Sequence, residues 1–348
     1  MLSALLFPFA LLYGGVTRLR NFLYNIRWKR SQSFEQAVVC VGNLSVGGTG
    51  KTPMIEYLVN LLSDEFQVAV LSRGYGRATR GFLLAEMHDD AMTIGDEPFQ
   101  FYRKYGSKVS VAVCESRVEG ITKFTQRRPA LKVILLDDAF QHRAVKPLFS
   151  ILLTDFSKPF FRDHLLPAGR LRESRKGASR ADVIVVTKCP LDLTAEEKKT
   201  WTNQVTISAG PKPVFFSAID YRSVVPFEGD GRIENKVVLV TGIANSKSLS
   251  GHVKSNFELV RHFEFRDHYS YAVQDILEIQ RLAAAGTSIL TTEKDMVKLV
   301  SPGLSGALNK KLWFYLPIGT KIMENGTEFD KTLVDQIKAH LSRPNKKL

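Results

Sequence analysis

Cysteine is scarce. Cys40, Cys114 and Cys189 are the only three in the chain, far apart and never at CxxC or zinc-finger spacing, so no disulfide framework is implied. Cys40 and Cys114 lie inside apolar, strand-like runs, where cysteine acts as a small core residue, and a reducing cytoplasm is the expected compartment. An uninterrupted membrane-crossing segment is also missing. A spanning helix needs about 20 apolar residues. The N-terminal run is shorter and contains Pro8, Gly14 and Gly15. No charged side chain precedes Arg18. A secretory signal places its basic residues ahead of the apolar stretch and ends in a small-residue cleavage site, so this order argues against one. Internal repeats and long low-complexity segments are absent too.

Basic charge is plentiful. Lys and Arg number 48 against 35 acidic residues, a net charge of +13, which favours anionic partners such as nucleic acid, an acidic membrane or phosphorylated substrates. Near the N-terminus, Arg18, Arg20, Arg27, Lys29 and Arg30 interleave with Leu19, Phe22, Leu23, Tyr24 and Trp28. An apolar stretch joined to a basic, aromatic-rich helix suits a monotopic anchor on an anionic leaflet. The competing readings are a true span and a helix packed on the protein's own core.

With 44% hydrophobic and 24% charged residues over 348 positions, the chain has the composition of one large or two ordinary globular domains. Apolar runs at 37–41, 68–71, 109–113, 133–136, 151–153 and 183–187 alternate with helical patterns at 53–62, 98–105 and 117–126. Nearly continuous apolar strands between helices argue for a parallel sheet covered on both faces, an α/β doubly wound domain. The rhythm changes near 205–235, where 214–221 and 223–227 read as a two-stranded connection. A smaller βα series follows, with strands at 237–240, 288–290 and 312–316 and helices near 249–256, 273–285 and 330–341. The expected division is a membrane-associating helix at 1–30, a core lobe at 31–205, a linker at 206–230 and a smaller α/β lobe at 231–348, with a frayed tail from Arg343.

The densest signal is VGNLSVGGTGKTP, residues 41–53. A standard phosphate loop, G-x-x-x-x-G-K-[ST], has glycine where Ser45 stands. Gly47, Gly48 and Gly50 still let backbone N–H groups curl around an anion, and the loop follows a strand and opens a helix. Gly47, Gly48, Thr49, Gly50 and Lys51 are therefore expected on nucleotide phosphates, with Thr52 on Mg2+. Asp137-Asp138 ends a strand beside this loop, where a carboxylate holds Mg2+ directly or through water; a strand-end cap is the plainer alternative. Asp96-Glu97 in IGDEP reads equally well as the first turn of a helix with Pro98 inside it. Arginine-bearing loops, SRGYGR at 72–77, SRVEG at 116–120, QHR at 141–143 and LLPAGRLRES at 165–174, approach strand ends and together favour a phosphate-rich substrate. His268 stands alone in RDHY, a context in which histidine is more often structural than catalytic.

In this order, VGNLSVGGTGKTP, SRGYGR, GDEP, LLDDAFQHR, LLPAGRLRE, RDHYSY and TTEKDMVK resemble the tetraacyldisaccharide 4′-kinase (lipid A 4′-kinase) family over nearly the whole chain. Ser45 belongs to that family's type of loop. The resemblance implies a P-loop NTPase-type sheet with a second lobe across a two-stranded linker. It implies ATP-dependent phosphorylation of the 4′-hydroxyl of a tetraacyldisaccharide 1-phosphate lipid, at the cytoplasmic face of the inner membrane. It also implies that Asp96 and His268 form a catalytic pair, with Asp96 taking the hydroxyl proton. Arg170 is expected to stabilise the transferring phosphoryl group, and Thr52, Asp138 and Glu97, with Asp137 nearby, to serve Mg2+. Arg73, Tyr75 and Arg117 are the expected substrate-side residues. TTEKDMVK belongs either to the nucleotide site or to the lobe interface. A monomer with no nucleic-acid partner is expected.

Two rival classes remain at this level. A P-loop switch ATPase or GTPase would hydrolyse nucleotide with a protein partner or in metal delivery, without a lipid acceptor. A nucleic-acid-binding protein would want a basic helix or aromatic platform aimed at bases; here the basic residues gather behind the apolar segment and near the phosphate loop.

Overall fold

In the computed structural model, which describes residues 2–283 and 286–343, the chain opens with α1, Leu2–Asn25. It continues through β1 (Ala37–Asn43), α2 (Lys51–Leu62), β2 (Val68–Ser72), β3 (Leu83–Leu84), α3 (Ala91–Ile94), α4 (Asp96–Tyr105), β4 (Ser110–Val113) and α5 (Arg117–Arg127). Next come β5 (Val133–Asp137), β6 (Phe149–Asp155), β7 (Val183–Thr187), α6 (Ala195–Ala209), β8 (Val214–Tyr221), β9 (Val225–Pro226), β10 (Lys236–Thr241) and α7 (Lys247–Asn256). The last are β11 (Glu258–Glu264), α8 (Val273–Leu282), β12 (Thr287–Thr292), α9 (Glu293–Leu299), α10 (Pro302–Ser305), β13 (Trp313–Leu316), β14 (Ile318–Ile322) and α11 (Gly326–Leu341).

Nine strands form the larger sheet in the order β14-β8-β7-β6-β1-β5-β2-β4-β3. Its interior is parallel and its two edge pairs, β14 with β8 and β3 with β4, are antiparallel. Every residue of β1, β2, β5, β6 and β7 is buried, the burial expected where helices cover both faces of a parallel sheet. Met54, Ile55, Leu58, Val59 and Leu62 form the buried stripe of α2 against one face, and Ile121 and Phe124 of α5 pack on the other. The smaller sheet runs β11-β10-β12-β13-β9, parallel except for β9.

The linker differs from the sequence reading. β8 and β9 do not pair with each other. β8 lies in the larger sheet against β14, and β9 in the smaller one against β13. The two-stranded connection is therefore Val214–Tyr221 with Ile318–Ile322, and the chain returns to the first lobe after β13. The last helix, expected in the second lobe, packs Phe329, Leu333 and Ile337 into the first lobe's core beside Val39 and Met54. Local periodicity cannot report which sheet a helix covers, so the boundary at 231–348 had no local signal to correct it. β11 was also unforeseen. Glu258–Glu264 is a half-exposed edge strand whose polar residues mask the pattern. The helix read at 273–285 is seen as α8; 284 and 285, and the tail beyond Arg343, lie outside the described residues.

α1 docks by one face. Ala10 is buried, the Tyr13 hydroxyl donates to the Arg172 carbonyl, and Asn21 donates to Glu173. Arg20 donates to the Gln141 carbonyl and Arg143 returns a bond to the Asn21 carbonyl. Residues 10, 13, 14, 17 and 21 recur at helical spacing, so these contacts share one stripe. Off that stripe, Phe9, Leu11, Leu12, Val16, Leu19 and Phe22 are exposed. Among the described residues no helix is long and apolar enough to cross a membrane.

Candidate active site

The glycine-rich loop leaves β1 at the C-terminal edge of the larger sheet, between β5 and β6. Ser45 takes the place of a turn glycine because the chain there is extended. It bridges Leu171 in antiparallel fashion, with Val46 N–H on the Arg170 carbonyl at 2.8 Å and Arg172 N–H on the Leu44 carbonyl at 2.7 Å. The bend falls later, at Gly50, whose φ of +82° suits glycine. Gly50 caps α2 without any side-chain hydrogen bond, so the first-turn N–H groups stay free for an anion at the positive end of the helix. On the loop's other side Thr187 donates to the Thr49 carbonyl at 3.0 Å, and Lys188, itself paired with Asp155 at 2.9 Å, donates to the Gly48 carbonyl.

The acidic centre faces this loop. Lys51 Nζ lies 3.8 Å from Asp138 Oδ1, and Arg172 grips the same carboxylate through both terminal nitrogens at 2.7 and 3.0 Å. Burial would raise the Asp138 carboxyl; the Lys51 ammonium and Arg172 guanidinium outweigh it and hold the carboxyl down at about 2. Asp137 behaves oppositely. Burial, with Glu97 and Asp138 nearby, pushes it well above the ordinary carboxylate range even though Ser72 donates to it at 2.7 Å. Its Oδ1 is buried and without a hydrogen-bond partner.

Across a cleft of about 220 Å3 stands the second lobe. Gly48 to Pro53 form its loop end, Ile219 and Tyr221 of β8, Ile318 of β14 and Leu316 of β13 one wall, and Ile243, Asp267 and Lys294 its far side. His268 projects from the loop after β11 with a left-handed φ of +57°, rare for a residue with a Cβ. Its Nδ1 lies 3.4 Å from Asp96 Oδ2, so the first-turn carboxylate of α4 and this histidine of the other lobe do meet. Gly95 makes room beside them. At φ +95°, an added Cβ would press on the Tyr75 carbonyl at 3.1 Å, which keeps SRGYGR against GDEP. The Tyr75 ring, largely exposed, sits 5.4 Å from the His268 ring.

A second set of charges joins the lobes at the cleft wall. Lys104 of α4 bonds Glu56 of α2 at 2.7 Å and Glu293 of α9 at 2.9 Å. Burial first, then the Glu293 charge, pushes the Glu56 carboxyl up to about 7. Its folded-state value thus lies above its unfolded one, and the folded protein holds a proton that the unfolded chain releases. This contribution to stability is full below about pH 4.5 and is lost as pH rises toward 7. Glu56→Gln is expected to flatten the fall in unfolding free energy over that window by up to about 1.4 kcal/mol per pH unit. Urea melts from pH 5 to 7.5 check this; equal slopes in both proteins would remove Glu56 as the cause.

A tetraacyldisaccharide-1-P 4′-kinase family model (LpxK) matches residues 2–338. The chain belongs to this family. The tetraacyldisaccharide 4′-kinase of Cytophaga hutchinsonii is 44% identical over 98% of both chains, and that of Flavobacterium johnsoniae 43% identical over 98% of this chain and 99% of its own. The crystal structure of LpxK from Aquifex aeolicus in complex with ATP is similar at a TM-score of 0.75 and 29% identity, covering 97% of this chain and 99% of that one.

Within this 4′-kinase frame, the structure brings Lys51, Thr52, Glu97, Asp137 and Asp138 to one side of the cleft and Asp96 to His268. Two arginines fall elsewhere than expected. Arg117 is buried, and its terminal nitrogens donate to the Cys114 and Asp137 carbonyls, so it braces the end of β5 and is not free to meet a substrate. Arg170 pairs with Asp163 at 2.8 Å, while Arg172, absent from the sequence-based set, reaches the acidic centre. The two flank buried Leu171 on one extended segment, and alternation alone cannot choose between them. Arg73 is exposed on the loop after β2.

Proposed function

We propose that this protein transfers the γ-phosphoryl group of ATP to the 4′-hydroxyl of a tetraacylated glucosamine disaccharide 1-phosphate, giving the bis-phosphorylated lipid A precursor. The observation that carries the reading is the Asp96–His268 pair, adjacent in sequence to Glu97 and Asp267 of the cleft that the glycine-rich loop also lines, in a chain of this kinase family. The free N–H groups at the start of α2 and Lys51 would take the β and γ phosphates. The base would lie between the apolar connecting strands and Ile243. Asp96 keeps Oδ1 for the sugar hydroxyl. As the hydroxyl oxygen bonds to the γ phosphorus, its proton passes to Asp96 and the bond to the β-phosphate oxygen breaks, releasing ADP. Arg170 would turn from Asp163 to the transferring group, and Arg73 and Tyr75 would meet the lipid headgroup.

The residues also fit Mg2+. Asp137 offers a buried, unpartnered oxygen beside Asp138, Glu97 and Thr52, and magnesium takes one or two carboxylates plus phosphate oxygens and waters. Among the described residues no group of three or more His, Cys, Asp or Glu forms a self-sufficient metal cage, in keeping with an ion that arrives with the nucleotide. Held by these residues, the ion would supply neutralisation of the phosphate charge.

The exposed apolar side of α1, with Arg18, Arg27 and Lys29 beside it, supports peripheral attachment to the cytoplasmic face of the inner membrane, where the lipid substrate lies. Action as a monomer is part of the same proposal. Leu12→Glu together with Phe9→Glu is expected to lower association with anionic liposomes at least about tenfold, since each removes apolar area from the interface and adds repulsion; unchanged co-sedimentation would refute the anchor. The activity itself is tested by transfer of labelled γ-phosphate from ATP to purified tetraacyldisaccharide 1-phosphate in mixed micelles with Mg2+. A labelled lipid supports the reading, and ATP hydrolysis without labelled lipid overturns it.

A further inference from the structure

TTEKDMVK forms the end of β12 and most of α9, and its Lys294 lines the cleft. Lys294 Nζ lies 3.0 Å from Asp267 Oδ1 and 3.3 Å from His268 Nε2. The opposite ring nitrogen, Nδ1, faces Asp96 Oδ2 at 3.4 Å. An ammonium group has donors and no acceptor, so a nitrogen facing one must present its lone pair. A neutral imidazole with Nε2 accepting carries its proton on Nδ1, and that proton points at Asp96. The reverse tautomer has nothing to offer here. Its Nε2–H would confront the ammonium, and its nearest carboxylate oxygen, Asp267 Oδ2, is 3.9 Å away, beyond hydrogen-bond range. Its bare Nδ1 would then face the Asp96 carboxylate lone pair to lone pair.

The groups facing the imidazole are Asp96 from α4, Tyr75 from the loop after β2, Asp267 on its own loop and Lys294 from α9. Asp96 draws the proton to Nδ1 and Lys294 excludes it from Nε2, so the two fix one tautomer from opposite sides of the ring. Asp267 fixes Lys294 in turn: burial would raise its carboxyl, and the Lys294 ammonium outweighs this and keeps it below the usual range.

We infer that Lys294 is a positioning residue that sets the His268 tautomer, so that Nδ1–H holds and orients the Asp96 carboxylate toward the substrate hydroxyl. The inference rests on the reading of Asp96 and His268 as the catalytic pair. It gives TTEKDMVK a role in the chemistry of the first lobe's carboxylate, delivered from the second lobe only when the two face each other.

The test uses the full-length protein labelled with nitrogen-15 in histidine, with Lys294→Met and Lys294→Arg compared with wild type. Long-range proton–nitrogen spectra assign each ring nitrogen of His268 as protonated or bare, with His268→Gln locating the signal. Wild type should show Nδ1 protonated and Nε2 bare. Lys294→Met should move the proton population toward Nε2 and lower kcat about 10- to 100-fold, the usual cost of losing a partner that orients a reacting side chain, with KM for ATP changed less than about twofold. Lys294→Arg, which keeps the donors, should retain the tautomer and most of kcat. Asp267→Asn, which loosens Lys294 without removing it, should fall between and stands in if Lys294→Met does not fold. An unchanged tautomer in Lys294→Met, or a loss confined to KM for ATP, overturns the inference; the latter would make Lys294 a nucleotide ligand. A tautomer that moves while kcat holds leaves Lys294 acting on His268 as argued and instead refutes Asp96 and His268 as the catalytic pair.

Discussion

Asp96→Ala is expected to lower kcat for the lipid by about 10^2- to 10^4-fold, the range over which a positioned general base contributes. Asp96 lies next to the cleft-lining Glu97, on the first turn of α4, whose macrodipole favours an acidic side chain there. ATP affinity should change little, because Lys51 and the first turn of α2 form the phosphate end without it. His268→Ala should cost somewhat less, since the carboxylate survives but loses the partner 3.4 Å away that orients it. The double variant is the sharper experiment. Residues that act as one unit are non-additive, so losing both should cost scarcely more than losing Asp96 alone. Losses that multiply would show two independent contributions, and near-normal turnover in both single variants would remove them from the chemistry.

Lys51→Ala should be nearly as severe but different in kind. Removing this ammonium takes a charge from the β and γ phosphates and leaves Asp138 with Arg172 as its main counter-charge. A loss of about 10^3-fold in kcat/KM is expected, shared between ATP binding and turnover, because the same charge serves the bound and the transferring phosphoryl group. Nucleotide titration and labelled-phosphate transfer together check it. A variant that binds ATP as tightly as wild type would show that the backbone N–H groups carry the phosphates alone.

Much of the site was legible because its parts are short and local. The turn at Gly50, the apolar strand before it and the helix after it need only neighbours in sequence, so the strand–turn–helix of the candidate phosphate loop could be read despite Ser45. Asp137-Asp138 could be read the same way, as the end of an apolar strand. The arginines were harder. Arg73, Arg170 and Arg172 lie in loops near strand ends and Arg117 opens α5, yet Arg117 turns inward onto backbone carbonyls and only Arg172 of the four reaches Asp138. Side-chain direction in a loop depends on what packs behind it, which spacing does not report.

The sequence by itself determined the layered α/β core, the phosphate loop, the acidic strand end and the family, because hydrogen-bonding geometry and apolar periodicity act over a few residues at a time. Tertiary structure alone decided that the final helix returns to the first lobe, that β14 completes the two-stranded connection, and that Asp96 meets His268 across 172 positions of chain. It alone placed Lys294 on the far nitrogen of that histidine. Such pairings are fixed by how two sheets face each other over a cleft. That relation comes from the burial of many side chains together, and no local run of residues encodes it.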